Sequence, residues 1–135
     1  MKCYLCKTSM DPFIVKNGYA IFHCPSCDLY QTDLKKNYES FVKQFYGKGY
    51  FSGDPSCMAY SSYEKDKPYI AKNMHNLLQK IKQYKKSGKL LEAGCAYGYF
   101  IELALSEGYD AYGFDPSHHA VLEAQKRVGK DRIKE

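Results

Sequence analysis

Four of the six cysteines form two closely spaced pairs. The pairs are Cys3-x-x-Cys6 and Cys24-x-x-Cys27, with 17 residues between them. Two residues between cysteines let one tight turn direct both thiolates at a single metal ion, and two such turns complete a tetrahedral zinc site. Because four thiolates leave no coordination position for water, we predict a structural Zn²⁺ ion. A disulfide framework would need an oxidising compartment, which no feature of the sequence indicates.

A second group of residues combines small side chains with carboxylates. The run Glu92-Ala-Gly-Cys-Ala-Tyr-Gly98 follows a short apolar stretch and precedes a helical pattern. Small residues allow a ligand to approach the backbone, and a helix N-terminus presents unpaired N–H groups. Asp115 lies 21 residues after Gly94, where the next strand is predicted to end. A carboxylate at that position can accept two hydrogen bonds from ribose hydroxyls.

The elements that position these groups alternate between strand and helix. We predict a buried strand over 89–94, a helix over 99–107, a second strand over 109–114 and a helix from Ser117 to about 128, with a further strand beginning at Ile133. This order is typical of the opening of a doubly wound α/β sheet.

Two common ligands of a loop between a strand and a helix can be compared with this sequence first: a phosphate group and a dinucleotide. A phosphate-binding P-loop would require Gly-Lys-Ser/Thr, which is absent. A dinucleotide fingerprint would read G-x-G-x-x-G, whereas the chain has Gly94-x-Ala96-x-Gly98. Tyr99 occupies the position of the third glycine, which normally allows the helix to pack closely against the strand, and its side chain would crowd that contact. The loop therefore matches the dinucleotide fingerprint only in part, and an NAD-dependent enzyme is kept as an alternative hypothesis.

The run Leu91 to Phe100 closely resembles motif I, E/D-x-G-x-G-x-G, of class I S-adenosylmethionine-dependent methyltransferases. Gly113-Phe-Asp115-Pro-Ser117 resembles the acidic motif after their second strand. Ala96 departs from the pattern by replacing its middle glycine. The whole layout is similar to that of bacterial methyltransferases with an N-terminal zinc ribbon, some of which act on nucleotide-linked sugars or natural products. The resemblance implies an S-adenosylmethionine-dependent methyltransferase with a small-molecule acceptor.

The resemblance also implies roles for individual residues. Glu92 would reach the methionine amino end, the loop would line the methionine and ribose, and Asp115 would hold the ribose hydroxyls. The predicted cofactor-binding residues are Glu92, Gly94, Cys95, Ala96, Tyr97, Gly98, Asp115, Pro116 and Ser117. The predicted metal ligands are Cys3, Cys6, Cys24 and Cys27. No catalytic residue is assigned, although Tyr60 and Tyr63 are candidates for the acceptor side.

These patterns predict an α/β chain in four parts. They are a zinc ribbon over 1–34, an aromatic-rich connecting segment over 35–65, an amphipathic helix over 66–88, and a partial Rossmann-like domain over 89–135. The ribbon is expected to contain two strands joined by a tight turn at Asn17-Gly18, and a further short strand after the second cysteine pair. The amphipathic helix is expected to have Asp66 as its N-cap and His75 on its solvated side, with an apolar stripe formed by Ile70, Met74, Leu77, Leu78, Ile81 and Tyr84. The aromatic segment lacks a regular period and reads as loop. Its side chains would either cover the ligand or pack the ribbon against the next domain. Since the class I sheet has seven strands, we expect an N-terminal fragment that lacks the C-terminal half of the catalytic domain.

The charge and hydropathy of the sequence indicate whether nucleic acid or a membrane is an expected partner. The formal net charge is +5, and residues 61–90 hold eight lysines against two acidic residues. This basic helix could attract nucleic acid, but a solvated face is the simpler interpretation. A rival hypothesis is that the ribbon is a nucleic-acid or protein binding module with no enzymatic role. No stretch approaches the roughly 20 apolar residues of a membrane span, and no secretory signal is present, so we expect a cytoplasmic protein without a membrane partner.

Overall fold

The chain divides into two compact units. The computed structural model describes residues 1–55 and 60–135. The first unit, here called the cysteine module, is Met1–Phe41, and the second, the α/β module, is Val42–Glu135. Helix α1 (Tyr38–Phe45) crosses the boundary between them. The connecting segment predicted over 35–65 is therefore shared between the two units.

The cysteine module contains a three-stranded antiparallel sheet. Its strands are β1 (Asp11–Lys16), β2 (Tyr19–His23) and β3 (Tyr30–Thr32), in that spatial order. Asn17 and Gly18 both have positive φ, 52° and 78°, as a two-residue hairpin turn requires. The predicted hairpin and the short strand after the second cysteine pair are thus both present.

The sheet of the cysteine module buries little apolar surface. Its buried cluster consists of Cys3, Met10 and Cys24. Phe13, Ile14 and Val15 of β1 are instead 60%, 53% and 69% exposed. A unit of this size cannot be stabilised by so small a core alone, and such small domains usually need a metal or a disulfide.

The aromatic segment is helical where the sequence predicted a loop. Residues 38–52 form α1 and a second short helix, α2 (Lys48–Ser52). Two of the three glycines that indicated a loop are helix boundaries: Gly47 is the N-cap of α2, and Gly53 is its C-cap, with a left-handed φ of 80°. The third, Gly49, lies within the helix. Because each helix spans at most about two turns, no apolar period could emerge over this stretch.

Helix α3 (Lys67–Tyr84) replaces the helix predicted over 66–88. It ends four residues before Gly88, which begins a strand instead. Asp66 is at the N-cap as predicted, but its side chain makes no capping hydrogen bond. The predicted apolar stripe is only partly buried. Leu78 is fully buried, whereas Leu77 is 49% exposed and Tyr84, at the end of the helix, is 91% exposed.

The rest of the α/β module follows the predicted strand–helix alternation. After α3 come β4 (Gly88–Ala93), α4 (Tyr99–Ser106), β5 (Tyr109–Phe114), α5 (His118–Val128) and β6 (Ile133–Lys134). The strands are parallel and lie in the order β4-β5-β6. This confirms a mixed α/β architecture that is consistent with part of a Rossmann-like methyltransferase domain.

The sheet of the α/β module is buried on one face. Leu78 of α3, Ile101 of α4 and Ala111 of β5 belong to its core. On the other face, Leu91 is 69% exposed and Phe114 is 43% exposed. The sequence predicted β4 as a buried strand, but within the described residues its side chains alternate between half-buried and exposed, because one face of the strand is not covered. No helix within 1–55 and 60–135 has the length and apolar composition needed to cross a membrane.

Candidate cofactor site and cysteine cluster

The loop after β4 is anchored to the end of the neighbouring strand. The N–H groups of Gly94 and Cys95 both donate to the carbonyl oxygen of Phe114, at 2.9 and 3.1 Å. Gly94 and Gly98 have φ values of 74° and 73°, a conformation that glycine adopts without steric cost. An added Cβ on Gly94 would meet no atom within 4 Å, so open space lies beside the backbone there.

Asp115 is the residue that ties the loop to the following helix. Its Oδ2 accepts a hydrogen bond from the N–H of Ala96 at 2.9 Å, and its Oδ1 accepts one from the N–H of Ser117 at 2.8 Å. Its side chain is largely buried, with 8% exposure. Each carboxylate oxygen has a second lone pair, so both can still accept a bond from a ligand. Ala96 is held with φ of 45°, where glycine is the usual residue.

Close packing beneath the loop explains the orientation of Cys95. The side chain of Cys95 packs against the backbone of Gly113, in space that is free because glycine has no Cβ. A Cβ added to Gly113 would lie 2.7 Å from the Cβ and 2.9 Å from the Sγ of Cys95. Cys95 is only 2% exposed and belongs to the core under the sheet. Its thiol therefore faces the core, and only its backbone belongs to the loop. Burial raises the pKa of this thiol to about 12, which excludes a reactive thiolate at neutral pH.

A cavity of about 330 Å³ opens beside the loop. This volume lies within the range of roughly 300–1,000 Å³ that is usual for small-molecule sites. One side is formed by the loop and the residues after β5. The other side is formed by aromatic side chains from the segment between α1 and α3. The lining residues are Tyr46, Tyr50, Phe51, Tyr60, Tyr63, Gly94, Ala96, Asp115 and Pro116.

Glu92 is a partly buried carboxylate at the end of β4. Its Oε2 atom is inaccessible to solvent and has no hydrogen-bond partner within the described parts of the chain. Burial, with a smaller contribution from the charge of Asp115, raises the pKa of Glu92 from 4.5 to about 7. An unpaired buried acceptor is rare in folded proteins, and a ligand with an N–H donor would satisfy it.

The raised pKa of Glu92 predicts a pH-dependent stability. The folded state holds the proton of Glu92 more tightly than the unfolded state does, so this protonation stabilises the fold. The stabilisation is complete below about pH 4.5 and is lost as the pH rises through about 7. Glu92→Gln cannot ionise. We therefore expect the wild type to lose roughly 2–3 kcal/mol relative to Glu92→Gln between pH 5 and 8. Urea unfolding of both proteins at several pH values measures the difference, and parallel pH profiles would contradict it.

The other predicted cofactor-binding residues occupy different positions around the loop. Pro116 is exposed and lines the cavity, and Gly98 packs against Ala124 of α5. Tyr97 is 6% exposed and lies in an aromatic cluster, where its hydroxyl pairs with His119 Nε2 at 2.9 Å. Ser117 caps α5, accepting from the N–H of Ala120 as predicted, and donates to the carbonyl oxygen of Tyr46.

Within the described parts of the chain, the cysteine cluster and the lining of the cavity include no histidine. His23 pairs with Asp28 at 2.7 Å, and His118 pairs with Glu135 at 2.6 Å. His75 is exposed on α3, in agreement with the prediction that it is solvated. His119 is half-buried, and its contact with the hydroxyl of Tyr97 holds the side chain of a loop residue.

The four paired cysteines of the cysteine module converge. Their sulfur atoms all lie within 4.8 Å of one another. The Cys3–Cys27, Cys6–Cys24 and Cys6–Cys27 sulfur distances are 3.5, 3.4 and 3.5 Å. Tetrahedral zinc with Zn–S bonds of about 2.3 Å places sulfurs roughly 3.8 Å apart, so the cluster is compatible with zinc.

The two cysteine turns share one backbone conformation. The carbonyl oxygen of Cys3 accepts from the N–H of Lys7 at 3.0 Å, and that of Cys24 accepts from the N–H of Asp28 at 2.9 Å. Lys7 and Asp28 both have a left-handed φ, 64° and 60°. This repeated turn brings the two thiolates of each pair to the same side, as the spacing predicts.

Comparison with known families covers the part of the α/β module that contains the loop. A family model described as a methyltransferase domain matches residues 63–134. The match spans more than half of the chain. The chain belongs to this methyltransferase domain family. No curated protein matches it.

Only some of the residues that line the cavity lie within the range matched by the methyltransferase domain model. Tyr63, the loop and Asp115 lie within residues 63–134, whereas Tyr46, Tyr50, Phe51 and Tyr60 precede them. Of these four, the sequence analysis named only Tyr60 as a candidate site residue. For the other three the abundance of aromatic residues was the only signal, and it indicated a cover for the ligand and packing between domains equally. In the α/β module Phe51 stacks on Tyr97 of the loop, with ring centroids 4.8 Å apart.

Proposed function

We propose that the cavity binds S-adenosylmethionine and that the chain takes part in methyl transfer to a small-molecule acceptor, such as a sugar or a natural product. The observation that carries the proposal is the position of Asp115. This carboxylate lies directly after β5, lines the cavity and is fixed by two backbone N–H groups. A carboxylate fixed in this way can receive ribose hydroxyls without further reorganisation.

The remaining residues fit the same cofactor. The unpaired Oε2 of Glu92 would accept a hydrogen bond from the methionine ammonium group, and binding that cation would favour the ionised carboxylate. The open space at Gly94 admits a ligand against the backbone. The third glycine of a dinucleotide fingerprint is replaced here by Tyr99, a bulky and buried residue at the start of α4, which supports S-adenosylmethionine over NAD.

When bound, S-adenosylmethionine supplies an activated methyl group on a sulfonium centre. The residues of this chain would hold the cofactor and exclude water from it, since methyl transfer is governed largely by positioning. Tyr63 is a poor candidate for a general base, because burial raises the pKa of its hydroxyl well above the usual range. Tyr60, which is 37% exposed, remains a candidate for contact with the acceptor.

We also propose that Cys3, Cys6, Cys24 and Cys27 bind one Zn²⁺ ion with a structural role. Four thiolates saturate a tetrahedral ion and leave no position for substrate. The sulfur distances support this assignment, as does the small apolar core of the cysteine module. The ion would then supply most of the folding free energy of that module.

Isothermal titration calorimetry of the full chain with S-adenosylmethionine and, separately, with NAD tests the proposed cofactor. We expect S-adenosylmethionine to bind with a stoichiometry of one and NAD to give no measurable heat. Binding of NAD alone would support the dinucleotide enzyme. If neither binds, the cofactor proposal is wrong, and a nucleic-acid or protein binding role for the cysteine module becomes the better hypothesis.

A further inference from the structure

The wall of the cavity opposite the loop is a cluster of four aromatic rings in a closed circuit. The contacts run from Tyr50 to Phe51, on to Tyr63, then Tyr60, and back to Tyr50. The centroid separations are 5.1, 5.4, 4.7 and 5.6 Å, and the interplanar angles are 78°, 85°, 80° and 83°. Every contact is therefore edge-to-face, the arrangement that aromatic quadrupoles favour. We call this cluster the aromatic wall.

The four rings of the aromatic wall are in direct contact with one another. With centroids about 5 Å apart around the circuit, the rings fill the space between them, so a ligand would contact the outer surface of the cluster. Phe51 and Tyr63 are each 5% exposed, which places them on the inner side against Tyr97. Tyr60 is 37% exposed and is the ring of the circuit with the most surface accessible to a ligand.

The cavity is lined by one carboxylate and by aromatic rings, and both kinds of group can attract a cation. The faces of aromatic rings carry partial negative charge. Asp115 is the one charged side chain among the described lining residues, and the carboxylate of Glu92 lies close enough to Asp115 for their charges to interact. The pKa of Tyr50 is raised, mainly by burial and to a smaller extent by its neighbours Tyr60, Tyr46 and Asp115. No cationic side chain offsets these groups within the described lining.

We propose that the aromatic wall, together with the two carboxylates, makes this cavity select the positively charged sulfonium cofactor over its neutral thioether product. The inference rests on the proposed function and concerns the same site. When an acceptor's lone pair forms a bond to the methyl carbon, the C–S bonding pair stays on sulfur. The net charge of the bound cofactor then falls by one, and the attraction to the wall is lost. Product release is thereby coupled to the chemical step.

The strength of this selection follows from the energy of a cation near an aromatic face. Such contacts contribute about 0.5–2 kcal/mol, which corresponds to roughly 2- to 30-fold in affinity. We therefore expect the full chain to bind S-adenosylmethionine about 2- to 30-fold more tightly than S-adenosylhomocysteine. Sinefungin carries a protonated amine where the cofactor has its sulfonium centre, and it should bind more like the cofactor than like the thioether.

Calorimetry of the wild type with these three ligands, and of two variants at Tyr60, provides the test. Tyr60→Leu removes the most accessible ring of the wall, while Tyr60→Phe keeps the ring and removes only the hydroxyl. We expect Tyr60→Leu to lower the ratio of the two affinities by about 2- to 5-fold, because exposed contacts of this kind contribute about 0.5–1 kcal/mol. Tyr60→Phe should preserve the wild-type ratio.

The outcomes separate this inference from the proposed function. Equal wild-type affinities for S-adenosylmethionine and S-adenosylhomocysteine would overturn the inference while leaving the cofactor proposal intact. The same holds if sinefungin binds no better than the thioether, a comparison that needs no variant. Failure of all three ligands to bind would overturn both. An affinity ratio that is unchanged in a folded Tyr60→Leu protein would show that the ring does not select charge.

Discussion

Replacing Cys24 with serine is expected to unfold the cysteine module while the α/β module keeps its structure. Cys24 is fully buried and its sulfur lies 3.4 Å from that of Cys6. Structural zinc contributes about 10–16 kcal/mol to folding in zinc-finger peptides, which exceeds the stability of most small domains. A three-ligand site would retain too little of that free energy to hold β1 and β2 together.

Hydrogen exchange and metal analysis measure this effect. The wild type should contain one zinc ion per chain, and Tyr19–His23 should be protected from exchange. In Cys24→Ser, or after treatment with a strong chelator, protection of this strand should disappear, while protection of Tyr109–Phe114 in β5 remains. Cys57→Ser is the matched control, since Cys57 lies outside both C-x2-C pairs. Full protection of β2 in the chelated protein would rule out a structural metal.

Replacing Asp115 with alanine is expected both to destabilise the α/β module and to abolish cofactor binding. The change leaves the N–H groups of Ala96 and Ser117 without their acceptor in a buried site. Loss of two charge-assisted hydrogen bonds should lower the free energy of unfolding by roughly 2–5 kcal/mol. Because the same carboxylate would receive two ribose hydroxyls, we expect affinity for S-adenosylmethionine to fall by about 100-fold or more.

Two further variants separate the folding role of Asp115 from its binding role. Asp115→Asn keeps one carbonyl oxygen for the loop, so it should restore much of the stability while affinity stays low. Asp110→Asn changes the same residue type near the start of β5, where the carboxylate is partly exposed and pairs with Arg132. It should alter neither property appreciably. If Asp115→Asn bound the cofactor as tightly as the wild type, Asp115 would not be a ribose ligand.

Much of the local structure could be predicted from the sequence. The Asn17-Gly18 turn, the strand over 109–114 and the Ser117 cap all depend on residues close together in the chain. Turn conformation, side-chain capping and apolar alternation act over a few residues, so their signals appear in a single sequence. The same holds for the cysteine pairs, because two residues between cysteines already predict a tight turn that directs both thiolates to the same side.

The errors arise where burial depends on distant parts of the chain. Tyr84 was assigned to the apolar face of α3 from its period, yet it is 91% exposed because the helix extends beyond the core that Leu78 reaches. Leu91 was predicted to be buried in β4, yet only one face of that strand is covered in the described structure. Periodicity identifies a face but does not specify which neighbours cover it.

The sequence by itself thus determined the two chemical groups of this protein, the paired cysteines and the loop followed by Asp115. It did so because each depends on short-range spacing within a strand, a turn or a helix N-terminus. Only the tertiary structure decided that Asp115 holds the loop, that the thiol of Cys95 faces the core, and that aromatic side chains line the cavity opposite the loop. These features depend on contacts between residues far apart in the chain, such as Phe51 with Tyr97, which no local pattern encodes.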